Sequence, residues 1–82
     1  MYYVYAISSL ERNYIYVGLT DNIERRLSEH NSGKNKTTKP YYPFILIYFE
    51  ECGNRTEARN REKYFKSGIG KEKLKTIREN YL

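Results

Sequence analysis

At 82 residues the chain has the length of one small domain, burying roughly two thirds of its unfolded surface, and no room for a separate substrate-binding domain. Fifteen Lys and Arg against ten Asp and Glu give a formal net charge of +5, and an isoelectric point near 9.4 suits a nucleic-acid-binding module as well as an ordinary basic protein. The single cysteine, Cys52, excludes an intrachain disulfide and a thiolate zinc site, and no run approaches the roughly 20 apolar residues that cross a bilayer, so one domain over residues 1–82 in a cytoplasmic, reducing setting is the expectation.

Tyr2 to Ile7 and Tyr14 to Leu19 combine aromatic and β-branched residues with the alternation of half-buried strands. A hairpin joins them naturally. With Ser8 and Asn13 closing a four-residue loop, Ser9 to Arg12, Tyr5 lies directly opposite Tyr16 on one face of the sheet, whereas an odd loop length sends the two phenols to opposite faces. Thr20-Asp21-Asn22 then announces a helix, with Asp21 and Glu24 in the form of a capping box and Gly33 as the stop. With Ile23 at zero and about 100° per residue, Leu27 falls at about 40°, His30 at about 340° and Arg26 at about 300°. His30 is therefore inside the apolar stripe and Arg26 on its flank, one turn earlier.

Asn31 to Pro43 has no apolar periodicity and collects Gly33, Lys34, Lys36, Lys39, Pro40 and Pro43, the pattern of an exposed basic loop and the segment expected to move most. Phe44 to Phe49 is a nearly continuous apolar run bounded by Pro43 and by Glu50, Glu51 and Gly53, a third strand buried on both faces for part of its length. Asn54 or Thr56 caps a second helix in which, from Ala58 at zero, Glu62, Phe65 and Ile69 fall at about 40°, 340° and 20°. A carboxylate thus interrupts a buried stripe. Gly68 and Gly70 end that helix, and Lys71 to Asn80, with Leu74, Ile77 and Tyr81 at helical spacing, forms a third. The fold class is α/β (α+β): a three-stranded antiparallel sheet flanked by about three helices.

Glu62 needs a partner, because a buried, unpaired carboxylate costs several kcal/mol. A salt bridge to Arg59, Lys66 or Arg26 would supply one, and so would Mg²⁺ or Mn²⁺, which accept one protein carboxylate and fill their other positions with water and phosphate oxygens. The Arg26 guanidinium has the geometry to hold two phosphate oxygens and to stabilise charge that develops during displacement. His30, the sole histidine, is either a hydrogen-bonded packing residue or, with a reference pKa near 6.5, a proton-transfer group. Tyr5 and Tyr16 do that work only as phenolates, at a cost of about 4 kcal/mol at pH 7 unless a cation or base stands beside them. Gly18 leaves room for a close approach beside Tyr16. Lys34, Lys36 and Lys39, interleaved with Tyr41, suit phosphate contact and stacking on an unpaired base, though a solvated loop uses the same residues. The run Lys63, Lys66, Lys71, Lys73 and Lys75 either extends the basic face or serves solubility.

Taken together, Tyr3-Val4-Tyr5, a gap of ten, Tyr16-Val17-Gly18, then Arg26 and His30, and finally Glu57-Ala58-Arg59-Asn60-Arg61-Glu62-Lys63 resemble the GIY-YIG nuclease superfamily from Tyr2 to about Ile69. The likeness is greatest to small stand-alone members related to the catalytic module of the UvrC repair endonuclease. Tyr3 stands where the family name has its first glycine, and Val4 and Val17 replace isoleucines. An asparagine present in some members has no counterpart, since Asn80 lies beyond the matched region. The resemblance implies divalent-metal-dependent hydrolysis of DNA phosphodiesters in a setting such as repair or recombination, with Tyr5, Tyr16, Arg26, His30 and Glu62 at the catalytic positions and Glu62 on the metal. A non-catalytic nucleic-acid-binding module on the same scaffold is the alternative, and a tyrosine-rich protein-contact domain a third. A protein partner for targeting suits a chain this small.

Overall fold

The strand-forming character of the N-terminal aromatic and β-branched residues is realised in the computed structural model, which describes residues 1–81. β1 (Tyr2–Ser9) and β2 (Ile15–Thr20) form the hairpin, followed by α1 (Ile23–Asn31), a 3-10 turn at Lys39–Tyr41, β3 (Phe44–Cys52), α2 (Arg55–Lys66) and α3 (Gly68–Tyr81). The sheet is antiparallel in the order β2-β1-β3, so the fold is the expected three strands with three helices, and β2 is an edge. None of the helices among the described residues is long and apolar enough to cross a membrane.

The hairpin register differs from the sequence expectation. Tyr5 pairs with Gly18 and Ile7 with Tyr16, and Ser9 N–H donates to the Tyr14 carbonyl at 2.9 Å, so the loop is Leu10–Asn13. Ser9 causes the shift. Its hydroxyl accepts from the N–H groups of Glu11 and Arg12 at 3.2 and 3.0 Å and donates to the Tyr41 carbonyl at 2.6 Å, which extends β1 by two residues. The loop keeps four residues, and an even loop preserves the faces. Tyr5 and Tyr16 therefore share a face as diagonal neighbours instead of standing directly opposite.

Both sheet faces are covered. Val4 and Ala6 of β1 pack with Val17, Ile47 and, from α2 and α3, Ala58, Phe65 and Leu74. On the other face Tyr5 and Ile7 pack with Phe44, Tyr14, Tyr16, Tyr41 and the α1 residue Leu27. Val4, Ala6, Ile7, Ala58 and Leu74 are almost wholly buried.

Asn22, one residue later than the expected Asp21, caps α1. Its side chain accepts from Arg25 N–H at 3.0 Å, while Asp21 holds the Arg25 guanidinium at 2.7 Å. Thr20 Oγ1 decides this, accepting from Asn22 N–H at 3.1 Å and so fixing the non-helical backbone before the first turn. Gly33, at φ +76°, ends the helix as expected. Its N–H reaches the His30 carbonyl and the Lys34 N–H reaches the Glu29 carbonyl, a Schellman closure that a left-handed residue makes possible.

The segment after α1 is less free than its composition suggested. Lys34, Lys36 and Lys39 are exposed, but Thr38 is wholly buried, the Tyr41 ring stacks on Tyr14 at 3.9 Å, and Asn31 clamps the backbone of Phe44 through both its amide groups at 2.6 and 3.1 Å. At the other end, α2 stops at Lys66 and α3 begins at Gly68, three residues before the expected start. Ile69 falls past the break and is 70% exposed, so it does not continue the stripe of Ala58, Glu62 and Phe65.

The α2–α3 corner depends on Gly70. A Cβ there would lie 2.5 Å from Phe65 Cα and closer still to the Tyr64 carbonyl oxygen, and backbone does not yield as a side-chain tip does. Gly70→Ala should cost about 3 kcal/mol, the upper part of the overpacking range, and lower the melting temperature by about 12–24 °C. Gly68→Ala, with nothing within 4 Å of the added carbon, should melt within a few degrees of the parent when both are followed by circular dichroism.

Candidate active site

The shared face of the hairpin and the last turn of α1 bring three aromatic groups together. Because Gly18 has no side chain, the Tyr5 ring lies over it: a Cβ on Gly18 would sit 2.7 Å from the Tyr5 hydroxyl oxygen and 2.8 Å from Cζ. That places the phenol against α1, where its hydroxyl lies 2.9 Å from His30 Nε2. His30 Nδ1 in turn lies 2.8 Å from Thr38 Oγ1. Tyr5, His30 and Thr38 are all essentially buried. A neutral imidazole has one donor and one acceptor, and the arrangement fits Tyr5 O–H donating to Nε2 while Nδ1–H donates to Thr38. The half-buried Tyr16 ring completes the cluster, 5.0 Å from the His30 ring and 6.3 Å from that of Tyr5 between centroids.

Arg26, one turn before His30, donates to Glu29 at 2.9 Å. Burial works against its charge, but Glu29 and the Tyr5 phenol outweigh burial and hold its pKa above the ordinary arginine value. Glu29 is correspondingly lowered by Arg26. The same guanidinium opposes ionisation of His30 and favours ionisation of Tyr5, yet burial dominates both. The Tyr5 phenol is pushed up to about 12, first by desolvation and then by Tyr16, against the pull of Arg26. The His30 imidazole is pushed down to about 4, first by desolvation and then by the charge of Arg26. Of the two roles open to His30, a hydrogen-bonded packing residue fits this environment better than a proton-transfer group near neutral pH, and the cation beside Tyr5 does not suffice to make a phenolate.

The histidine shift has a measurable sign. A folded-state pKa below the ordinary 6.5 means that the unfolded chain binds more protons between those two values, so stability falls as pH drops from about 6.5 towards about 4. Between pH 7 and pH 5 the loss should be about 2 kcal/mol, rising to about 3 by pH 4. Urea unfolding at the two pH values, compared between the parent and His30→Gln, isolates this contribution: the pH-dependent difference should vanish in the variant.

Glu62 sits apart from this cluster. It projects from α2, on the face of the sheet opposite Tyr5, is 8% exposed, and makes no hydrogen bond to Tyr5, Tyr16, Arg26 or His30 among the described residues. Its partners are Arg59 Nη1 at 3.3 Å and Lys66 Nζ at 3.4 Å. Its charge nevertheless reaches the Tyr5 phenol and helps to raise it. Among the described residues no three His, Cys, Asp or Glu side chains gather as metal ligands. Glu62 alone still fits a Mg²⁺-type ion, which takes one carboxylate and completes its shell with water and phosphate. Both ion pairs are longer than the about 2.7–2.9 Å of tight charge-assisted bonds, and both cations are about half exposed, so either carboxylate oxygen is readily released to a metal.

The sequence-derived nucleic-acid contacts fare unevenly. Lys34, Lys36 and Lys39 point to solvent, but one face of Tyr41, offered as a stacking platform for a base, is covered by Tyr14. Thr38 was read only as part of that exposed loop, not as a buried partner of His30. Only the neighbouring Thr37-Thr38 pair in a polar loop marks it, and nothing in that pattern separates the buried hydroxyl from the exposed one.

Known proteins resemble this chain over most of its length. Residues 1–75 match the GIY-YIG catalytic domain. A UPF0213 protein from Staphylococcus haemolyticus is 39% identical over 79 residues, covering 95% of both chains, and one from Clostridium perfringens is 38% identical over 78 residues, covering 94% of this chain and 83% of the other. The solution NMR structure of a UPF0213 protein from Bacillus halodurans superposes with a TM-score of 0.54 at 32% identity, over 94% of this chain and 85% of that one.

Proposed function

We propose, from the premise that the chain belongs to the GIY-YIG catalytic domain family, a nuclease superfamily, that it is a divalent-metal-dependent endonuclease hydrolysing DNA phosphodiester bonds, of the kind used in repair or recombination. The observation that carries the reading is the buried Tyr5–His30–Thr38 hydrogen-bonded line with Arg26 acting on its phenol and Tyr16 in contact with its imidazole. A fixed polar line beneath an arginine suits a site that must orient an anionic substrate without rearranging.

In this mechanism Arg26 holds a non-bridging oxygen of the scissile phosphate and neutralises charge as the displacement proceeds. Tyr16, half-buried and at the open side of the cluster, is the phenol that touches the attacking water. Tyr5 and His30, both neutral at pH 7, act behind it. Their hydrogen bond fixes the wall on which Tyr16 and Arg26 are seated. Glu62 would hold Mg²⁺ or Mn²⁺, whose role when bound is to lower the pKa of coordinated water and polarise the phosphate. Neutral Tyr5 and His30 suit this division of labour, because the positive charge that eases loss of the water proton would come from a metal held by Glu62 and from Arg26.

The test is a cleavage screen of the purified chain on supercoiled, nicked, branched and single-stranded DNA with Mg²⁺ or Mn²⁺. Metal-dependent nicking that chelator abolishes and that Arg26→Ala and Glu62→Gln both remove supports the proposal. DNA binding without cleavage on every substrate, unchanged by those two substitutions, would replace it with the binding-only module.

A further inference from the structure

Beside β2 lies a groove that the hairpin chemistry meets only at Tyr16. About 600 Å³ in volume, it is bounded on one side by β2 and the loop before it, through Ile15, Tyr16 and Val17, and on the other by Lys66 of α2 and Lys71, Lys75 and Arg78 of α3. Four cations line it and no acid does. Lys71 and Lys75 are one helical turn apart and Arg78 about one further, so α3 turns a basic stripe towards the sheet edge.

The strand supplies donors of its own. Ser9 bonds Tyr14 across the hairpin, and in an antiparallel ladder the bonded residues alternate, so Tyr16 and Gly18 turn their backbone groups to β1 while the N–H groups of Ile15 and Val17 point outwards along the free edge. Arg78 adds another. Its Nη1 is bonded to Asn13 Oδ1 at 2.5 Å, and its Nε is the one buried side-chain polar atom without a partner among the described residues. A guanidinium with five donors is thus anchored at the groove with hydrogen-bonding capacity to spare.

The groove also joins the two halves of the site. Tyr16, in its wall, touches the His30 ring, and Lys66, in the opposite wall, lies 3.4 Å from Glu62 Oε2. α2, which carries Glu62, packs on the sheet face opposite Tyr5, and the groove runs beside the free edge of β2.

We infer that the β2–α3 groove seats one phosphodiester strand of the DNA substrate and leads it to Tyr16, with Lys71, Lys75 and Arg78 on its phosphates. The inference rests on the nuclease reading for its direction and on the groove's charge for its occupant. It moves the main DNA contact away from Lys34, Lys36 and Lys39, none of which lines the groove.

Binding of fluorescein-labelled single-stranded and nicked DNA to the full chain, read by anisotropy in EDTA so that no cleavage intervenes, tests it. Lys71→Ala with Lys75→Ala should weaken binding at least tenfold at about 100 mM salt and reduce the salt-dependence slope by about 1.4 to 1.8, the loss of two phosphate contacts. The matching double arginine variant should restore both, and Lys34→Ala with Lys36→Ala should stay within about twofold of the parent. The reverse ranking, or parental binding and slope in the Lys71/Lys75 alanine variant, overturns the groove while leaving the nuclease reading intact. A parent that binds through the groove and cuts nothing with metal overturns the nuclease reading and leaves the groove. Tighter binding of RNA of the same sequence, lost in the same variant, overturns DNA as the occupant.

Discussion

Arg26→Ala should lower the single-turnover cleavage rate by about 10³-fold while changing DNA affinity by less than about threefold. An arginine placed on a transferring phosphoryl group contributes about 10³ to 10⁵ in rate, and loss of a single preorganised donor costs about 10² to 10³. Arg26 combines the two roles. It is positioned by Glu29 at 2.9 Å, partly withdrawn from solvent, and electrostatically coupled to both tyrosines of the site. Arg26→Lys keeps the charge but loses the planar fork, and should recover less than a tenth of the parental rate. One further readout separates this from a merely structural role. Since Arg26 is second only to burial in depressing the His30 pKa, the alanine variant should titrate His30 at a higher pH, which the imidazole proton resonances report. Unchanged cleavage in a folded Arg26→Ala protein would remove the arginine from the mechanism.

Glu62→Gln should reduce metal-dependent cleavage by about 10² to 10³ and raise the Mg²⁺ concentration needed for half-maximal rate. The amide matches the carboxylate in shape but withdraws the negative charge that a hard cation requires. Stability should change by less than about 1 kcal/mol, because Arg59 and Lys66 are about half exposed and return to water when the pairs are lost. A metal titration of rate against a melting curve distinguishes the outcomes. If stability falls and the metal dependence is untouched, Glu62 is an ion-pair residue and the metal sits elsewhere.

Much of the fold was legible because its faces are set by period. Strand alternation put Tyr5 and Tyr16 on one side, and the 3.6-residue repeat put His30 and Arg26 towards it and Ala58, Glu62 and Phe65 into another stripe. Where the reading went astray, a local contact decided the matter. The Ser9 hydroxyl moved the hairpin by one residue at each end, Thr20 moved the helix cap from Asp21 to Asn22, and the corner at Gly70 threw Ile69 into solvent. Thr38 lay beyond reach, since its burial depends on a histidine eight residues earlier and on no periodic pattern. The proton affinities of Tyr5 and His30 were left open for a related reason: residue type gives the reference value, and burial, known only once the helix is docked on the sheet, outweighs the neighbouring charge.

The packing of Tyr5 on Gly18 bears on how relatives of this chain are recognised. The two tripeptides that mark the family are ordinarily read as separate words, yet here the ring from the first occupies the volume that a side chain in the second would fill. They are one constraint written twice. A descendant that acquired a larger residue at position 18 would have to shed bulk at position 5 or abandon the bond to His30, so a homology search that scores the words independently counts the same information two times. A reciprocal swap of volume between the two positions would look like two lost motifs while conserving the joint.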